Sequence, residues 1–102
     1  MIKTKKTIYK NFNSLLQKDL KDSKLAVAYL NEALQDPDHN VFLLALKDVL
    51  AAQGKDVTSL AKEIQISRQS LHRILSEDGN PRWNNITALF DTLGYRVQIA
   101  RK

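Results

Sequence analysis

The stretch from residue 57 to 74, VTSLAKEIQISRQSLHRI, constrains the fold more than any other part of the chain. Its apolar residues recur at three- and four-residue steps in two short runs, and such spacing places side chains on one face of a helix. The pattern predicts a helix-turn-helix. The five apolar residues expected to share its core are Leu60, Ile64, Ile66, Leu71 and Ile74.

Small and hydroxyl residues occupy the positions that such a motif needs. Ala61 falls where the two helices cross, and a methyl group there lets their backbones approach closely. We expect Thr58 to cap the first helix and Ser67 the second, because a hydroxyl oxygen can accept from the free backbone N–H groups of a first helical turn. These positions support two helices that meet at a tight turn.

The side chains left facing outward on the second helix are Arg68, Gln69, His72 and Arg73. Arginine can donate twice to guanine, and glutamine can donate to and accept from adenine, so these residue types suit the reading of base edges in the major groove of DNA. An ordinary helical hairpin with a solvated face would show similar residues. That alternative stays open at this stage.

The residues of this surface are expected to have different roles. We expect Gln69 and Arg73 to reach base edges, and Ser67 to anchor a phosphate beside the free backbone N–H groups at the helix start. Lys62 and Arg82 flank the helix and are predicted to meet phosphates, although Lys62 could equally be a solvated charge. The full set predicted to contact DNA is Ser67, Arg68, Gln69, Ser70, His72, Arg73, Lys62 and Arg82.

The motif resembles the helix-turn-helix of the phage-repressor-like (Xre) family. The resemblance rests on Leu60, Ala61, Ile64, Ile66, Ser67, Leu71 and Ile74. One position departs from it, because Gln65 stands where that family usually has glycine at the helix end. We therefore expect either backbone strain at Gln65 or a different geometry at the end of the first helix.

Length and charge narrow the class of protein. A chain of 102 residues is expected to form a single domain with one modest core. Lysine and arginine outnumber aspartate and glutamate by 16 to 11, and the formal net charge of +5 favours an anionic partner. The chain has no cysteine and no apolar run of membrane-spanning length. We expect a cytoplasmic protein.

Before the motif, the chain divides into an extension and two helices. Residues 1–22 are basic, with a weak amphipathic helix indicated by Ile8, Phe12, Leu15 and Leu16. A firmer helix should begin after a cap at Asp22 or Ser23 and end before Pro37. The next helix, predicted over residues 41–53, should be central. Its predicted caps are Asp38 or Asn40 at the start and Gly54 at the end.

After the motif at 57–75, we predict a last helix and a short strand. Asn80 and Pro81 are the expected cap and first-turn residues of that helix, and Gly94 is its expected stop. The alternation in YRVQIA at residues 95–100 predicts a β-strand, followed by a short tail to residue 102. The sequence therefore predicts an all-α fold, with five helices in a core over 23–94 and a C-terminal strand within 95–102.

The apolar stripes of these helices predict the core residues. They are Leu30, Phe42, Leu46, Leu60, Ala61, Ile64, Leu71, Ile74, Ile86 and Leu89. Trp83, Tyr29 and Phe42 are each interpreted as core residues rather than as platforms for stacked bases, because each falls on an apolar helical stripe.

The order of the segments resembles that of the addiction-module antidote family, whose members are antitoxins related to HigA. The resemblance is carried by YLNEAL at 29–34, the following helix that ends at Gly54, SLAKEIQISRQSLHRIL at 59–75, SEDGNP at 76–81 and LGY at 93–95. It implies a cytoplasmic repressor that binds its own operator and neutralises a small RelE/ParE-like toxin. The resemblance covers residues 20–99, and residues 2–19 are not matched to it.

Catalysis has little support in the sequence. His39 and His72 are far apart, and neither metal-ligand spacing nor a phosphate-cradling glycine loop is present. Ser70, His72 and Glu77 have the side-chain types of a hydrolase triad, but this spacing is commonplace and no oxyanion-hole element accompanies it. We therefore expect neither an enzyme nor a cofactor.

Two functional hypotheses follow. In the first, a DNA-binding repressor places the second helix of the motif in the major groove, and a two-fold homodimer supplies two such helices. Residues 95–100 are the predicted dimer element. In the second, the motif serves only as a fold, and the chain is a protein-binding module without specific DNA binding.

Overall fold

A computed structural model describes residues 18–76 and 80–102, and within these ranges the regular structure is helical throughout. The helices are α1 (Ser23–Leu34), α2 (His39–Ala52), α3 (Val57–Glu63), α4 (Arg68–Ile74) and α5 (Trp83–Leu93). The prediction of five core helices is confirmed. The weak helix predicted from Ile8 to Leu16 lies outside the described residues.

Side chains cap four of these helices at their first turns. Ser67 accepts a hydrogen bond from a backbone N–H group of α4, as predicted. Of the two candidates predicted for each of the first two helices, Asp22 caps α1 and Asp38 caps α2. The cap of α3 is Asp56, so the prediction of Thr58 was wrong. Asp56 comes before the helix and its carboxylate reaches the Ser59 backbone N–H at 2.9 Å, whereas Thr58 already lies inside α3.

The hydrogen bonds at the start of α3 also affect a charge. The backbone N–H and the hydroxyl of Ser59 donate to the Asp56 carboxylate, and they lower the pKa of that carboxyl.

At α5 the predicted cap at Asn80 was wrong. Arg82 precedes that helix and makes no side-chain cap hydrogen bond.

Three residues in left-handed backbone conformation follow the ends of α2, α3 and α5. Gly54 and Gly94 have φ of 76° and 79°, as their predicted roles require. Gln65 has φ of 63° and takes the same conformation without being a glycine. The Gln65 N–H donates to the Lys62 carbonyl at 3.2 Å, and the Ile66 N–H donates to the Ala61 carbonyl at 3.0 Å. This double hydrogen bond reverses the chain between α3 and α4.

The core lies where the helices meet. Eight of the ten predicted core residues are buried, whereas Ile64 and Ile74 are half-buried and pack against the core from its edge. Phe42 is buried and packs edge-on against Phe90, with ring centroids 6.0 Å apart. The buried predicted residues are Leu30, Phe42, Leu46, Leu60, Ala61, Leu71, Ile86 and Leu89.

Two predictions from the end of the chain were wrong. Trp83 has 65% of its surface exposed, because it occupies the first position of α5, beyond the turns that bury Ile86 and Leu89. Residues 95–100 form no strand. An extended segment needs a second strand to complete its hydrogen bonds, and the described part of the chain offers none.

All five helices contribute side chains to one core. α1 packs against α2, whereas α3 contacts both α4 and α5. Gln53 ties the end of α2 to the chain before α1, because its side-chain amide donates to the Leu20 carbonyl at 2.7 Å. Within the described residues, no helix is long and apolar enough to cross a membrane.

Candidate nucleic-acid interface

α4 begins with a reciprocal arrangement of two serines. The Ser67 hydroxyl oxygen accepts from the Ser70 backbone N–H at 3.0 Å, and the two hydroxyl oxygens lie 2.8 Å apart in a second hydrogen bond. Ser67 is exposed and Ser70 is half-buried. These contacts hold the first turn of α4 in place, so the side chains that follow leave the helix in fixed directions.

One side of α4 is buried, and the other is exposed and polar. Leu71 and Leu75 enter the core. Gln69 lies on the exposed side, and at about 100° per residue Arg73 is rotated from it by about 40° one way and His72 by about 60° the other. The exposed residues predicted to read or approach DNA from this helix are Arg68, Gln69, His72 and Arg73.

A groove, here the α4–α5 groove, runs along one flank of α4. It has a volume of about 430 Å³ and is lined by Ser70, Arg73, Ile74, Asn80, Pro81, Arg82 and Asn85. The fold thus brings together Arg73 and Arg82, two residues that the sequence singled out separately. Asn80 and Asn85 join them. Asn85 was not predicted as a site residue, because the spacing of residues in the sequence does not show which positions lie together across the turn before α5.

A second hollow, the α2–α4 cleft, lies along the other flank. It has a volume of about 400 Å³, with Lys47, Lys55 and His72 among its lining residues. Its floor is apolar and consists largely of core side chains. The remaining lining residues are Leu50, Ala51, Val57, Leu60, Leu75 and Ser76. His72 therefore belongs to a different surface from Arg73, and the two lysines beside it were not predicted.

The other predicted residues lie on neither flank. Arg68, Gln69 and Lys62 are exposed and line neither the α4–α5 groove nor the α2–α4 cleft. Lys62 stands near the end of α3. Gln69 is exposed and occupies the ridge between the two hollows, since it lies between Arg73 and His72 around the helix.

The described residues include no group of three or more histidine, aspartate or glutamate side chains placed to hold a metal ion. One carboxyl does have a perturbed pKa. Burial raises the pKa of Asp48, while a hydrogen bond from Tyr29 and the nearby charge of Lys47 act in the opposite direction. This contact joins α1 to α2 and does not belong to the exposed face of α4.

Apolar side chains are exposed on a different part of the molecule. A groove of about 470 Å³, here the α1–tail groove, separates α1 from residues 95–100 and includes Val27, Leu34, Val97 and Ile99. Ile99 has 95% of its surface exposed. None of the residues around this groove lines either hollow beside α4.

Comparison with known proteins gives two similarities. A family model described as "Probable addiction module antidote protein" matches residues 7–101. A protein of Haemophilus influenzae (strain ATCC 51907 / DSM 11121 / KW20 / Rd), whose name is given as "Uncharacterized protein", is 32% identical over 71 residues, which cover 70% of this chain and 71% of that protein. No solved structure matches the chain.

Proposed function

The chain belongs to the probable addiction module antidote family, and from this premise we propose that it is the antitoxin of a type II toxin–antitoxin module. In this proposal it has no catalytic role. It represses its own operon in the cytoplasm by binding operator DNA through an Xre-like helix-turn-helix formed by α3 and α4, and it neutralises a RelE/ParE-like toxin.

The exposed face of α4 is the observation that carries the DNA-binding part. Arg68, Gln69, His72 and Arg73 all face solvent there, while Leu71 holds the helix against the core. A helix that projects side chains with two or more donors from a rigid support can enter the major groove and contact base edges. Gln69 on the ridge and Arg73 beside it are the proposed base-reading residues.

The flanking residues supply contacts of a different kind. Arg82 lines the α4–α5 groove beside Arg73, and Lys62 stands exposed on α3. Positive side chains at the edge of a recognition helix reach phosphates, which position the protein without reporting sequence. Ser67 contributes by fixing the start of α4, since its hydroxyl is engaged with Ser70.

The α1–tail groove supports the proposed protein contacts. Side chains as apolar as Leu34, Val97 and Ile99 rarely cluster on an exposed surface unless another protein covers them. One recognition helix reads only a few base pairs, so an operator of useful length calls for two. We propose a homodimer that buries residues 95–100 and the adjoining part of α1.

The experiment measures DNA and protein binding on the same preparation. Trp83 is the only tryptophan of the chain, and it is exposed beside Arg82, so its fluorescence reports on DNA that approaches the α4–α5 groove. We expect DNA from upstream of the gene to change this fluorescence and to shift in a gel, and an unrelated duplex of equal length to bind more weakly.

Co-expression with the neighbouring gene tests the antitoxin part. We expect the product of that gene to co-purify with this chain and to lose its toxicity in the presence of the chain. The alternative function is a protein-binding module that uses the helix-turn-helix only as a fold, and the exposed apolar groove favours it. Co-purification without any preference for the upstream DNA would establish that alternative in place of the repressor.

A further inference from the structure

The α2–α4 cleft contains positive charge that the proposed base-reading residues do not use. Lys47 extends from the exposed side of α2, Lys55 follows that helix, and His72 comes from α4. Lys47 lies on α2 and Lys55 lies two residues before α3, and the packing of α2 beside α4 places both lysines around one cleft with His72. No acidic side chain is among the residues that line this cleft.

The cleft and the α4–α5 groove lie on opposite sides of α4. Ser70 and Arg73 line the groove, whereas His72 and Leu75 line the cleft, and the two hollows share no residue. These pairs point in directions separated by well over 90° around the helix axis at about 100° per residue. Gln69 lies on the ridge between them. α4 is therefore bordered by positive side chains on both flanks.

This arrangement matches the shape of a major groove. The groove is about 12 Å wide and a helix with its side chains is about 10 to 12 Å across, so an inserted helix has the phosphates of one strand on each side. Arg82, in the α4–α5 groove, can serve only one of those strands. Lys47, Lys55 and His72 stand on the side that would face the other.

We propose that the α2–α4 cleft is a second phosphate-binding site, in which Lys47, Lys55 and His72 hold the DNA strand opposite to the one contacted from the α4–α5 groove. The inference rests on the proposed function, since it takes α4 to be the helix in the major groove. It makes α2 part of the DNA-binding surface.

The apolar floor of the cleft does not point to an apolar ligand. Leu50, Leu60 and Leu75 are at most 7% exposed and belong to the main core, so only the rim is available to a partner. Charged lysine ends above apolar walls form a shallow anion-binding site, because the aliphatic stems can rest on the leucines while the ammonium groups face outward.

The test compares two double variants of equal charge change. Lys47→Gln with Lys55→Gln removes the proposed contacts, and Lys21→Gln with Lys24→Gln is the control, since these lysines are exposed at the start of α1 and line none of the hollows. Each lost phosphate contact lowers the slope of log K against log salt by about 0.9. For the first variant we expect the slope to decrease by about two units per bound protomer and the base preference to stay unchanged, and for the control we expect no change.

A second experiment locates the phosphate contacts on each DNA strand, first with the wild-type protein. Single methylphosphonates, which remove one phosphate charge, are placed along each strand of the bound duplex. We expect neutral positions on both strands, on the two sides of the groove that α4 enters, to weaken binding. Within each half-site of the operator, the Lys47→Gln/Lys55→Gln protein should become insensitive to the positions on one strand only.

The outcomes separate this inference from the proposed function. If the wild-type protein binds its upstream DNA but the Lys47→Gln/Lys55→Gln protein keeps the full salt slope, the second phosphate site is wrong and the repressor stands. If the Lys47→Gln/Lys55→Gln protein no longer co-purifies with the product of the neighbouring gene but keeps the full salt slope, the cleft is a protein contact and the inference is overturned. If the wild-type protein shows no preference for the upstream DNA, the proposed repressor itself fails.

Discussion

The hydroxyl of Tyr29 donates a hydrogen bond to Oδ2 of Asp48 at 3.0 Å, and this contact joins α1 to α2. Burial raises the pKa of Asp48, and it outweighs the effects of the Tyr29 hydrogen bond and of Lys47, which both lower it. The folded protein therefore holds the proton on this carboxyl more tightly than the unfolded chain does. Folding and the protonation of Asp48 are linked.

We predict that Asp48 makes the protein less stable as the pH rises. Because its pKa is raised on folding, its contribution is fully present below the ordinary carboxyl pKa and is lost as the pH rises through the raised value. Asp48→Asn should remove this part of the pH dependence, as measured by urea unfolding over a pH series. Tyr29→Phe should raise the Asp48 pKa further, as followed by NMR. An identical pH profile in Asp48→Asn would contradict the prediction.

Ala61 tests how closely α3 and α4 approach. It is 4% exposed, and its carbonyl accepts the hydrogen bond from Ile66 that turns the chain toward α4. Ala61→Leu should lower the free energy of unfolding by roughly 1 to 3 kcal/mol through overpacking. Ala28→Leu is the control, because Ala28 is exposed on α1. Equal melting midpoints for the two variants would show that the site is not crowded.

Gln65 is expected to carry backbone strain. A non-glycine residue in the left-handed conformation costs roughly 1 to 2 kcal/mol, and the greater freedom of glycine in the unfolded chain offsets part of the gain from replacing it. Gln65→Gly should therefore raise the free energy of unfolding by up to about 1 kcal/mol, as measured by urea unfolding. Gly54→Ala should lower it, since Gly54 has φ of 76°, although an added methyl group would meet no atom within 4 Å.

The fourth prediction concerns base reading by α4. Gln69→Ala or Arg73→Ala should each cost about 1 to 3 kcal/mol on the cognate operator and relax the preference at particular base pairs, because a contact with two hydrogen bonds is lost. Binding to a randomised operator library measures both effects. If both variants keep wild-type affinity and the same preferences, α4 does not read DNA.

Arg82→Ala and Lys62→Ala are the matched comparison for that experiment. Both side chains are exposed beside the proposed reading helix. Their removal should weaken binding to all sequences alike and decrease the salt slope by about one unit each, because phosphate contacts carry no sequence information. A change in base preference for Arg82→Ala would reassign it to base contact.

The last prediction concerns assembly. Deletion of residues 95–102 should give monomers by sedimentation and weaken operator binding. Ile99→Asp should do the same without affecting the fold, because the side chain is 95% exposed in the single chain. Leu25→Asp is the control, since Leu25 is also exposed but does not line the α1–tail groove. A truncated chain that stays dimeric would move the dimer contact elsewhere, and loss of toxin binding alone would assign the groove to the toxin.

Local sequence determined most of the helical architecture. The spacing of Leu60, Leu71 and their neighbours set the two short helices, and Asp22, Asp38 and Gly54 marked where helices begin and end. Helix formation and capping depend on residues close together in the chain, so both can be predicted from the order of the amino acids. The same reasoning went wrong at Thr58, where two residues could cap α3 and the better acceptor, Asp56, lay outside the pattern.

Tertiary structure decided what no spacing could show. The alternation at residues 95–100 is typical of a strand, but a strand requires a partner, and the packing of the described residues supplies none. Trp83 matched an apolar stripe, yet its place at the first position of α5 left it in solvent. Arg73 shares a groove with Arg82, and His72 shares a cleft with Lys47, because other parts of the chain pack beside α4. Periodicity gives the face of a helix, whereas the neighbours of that face depend on how the helices assemble.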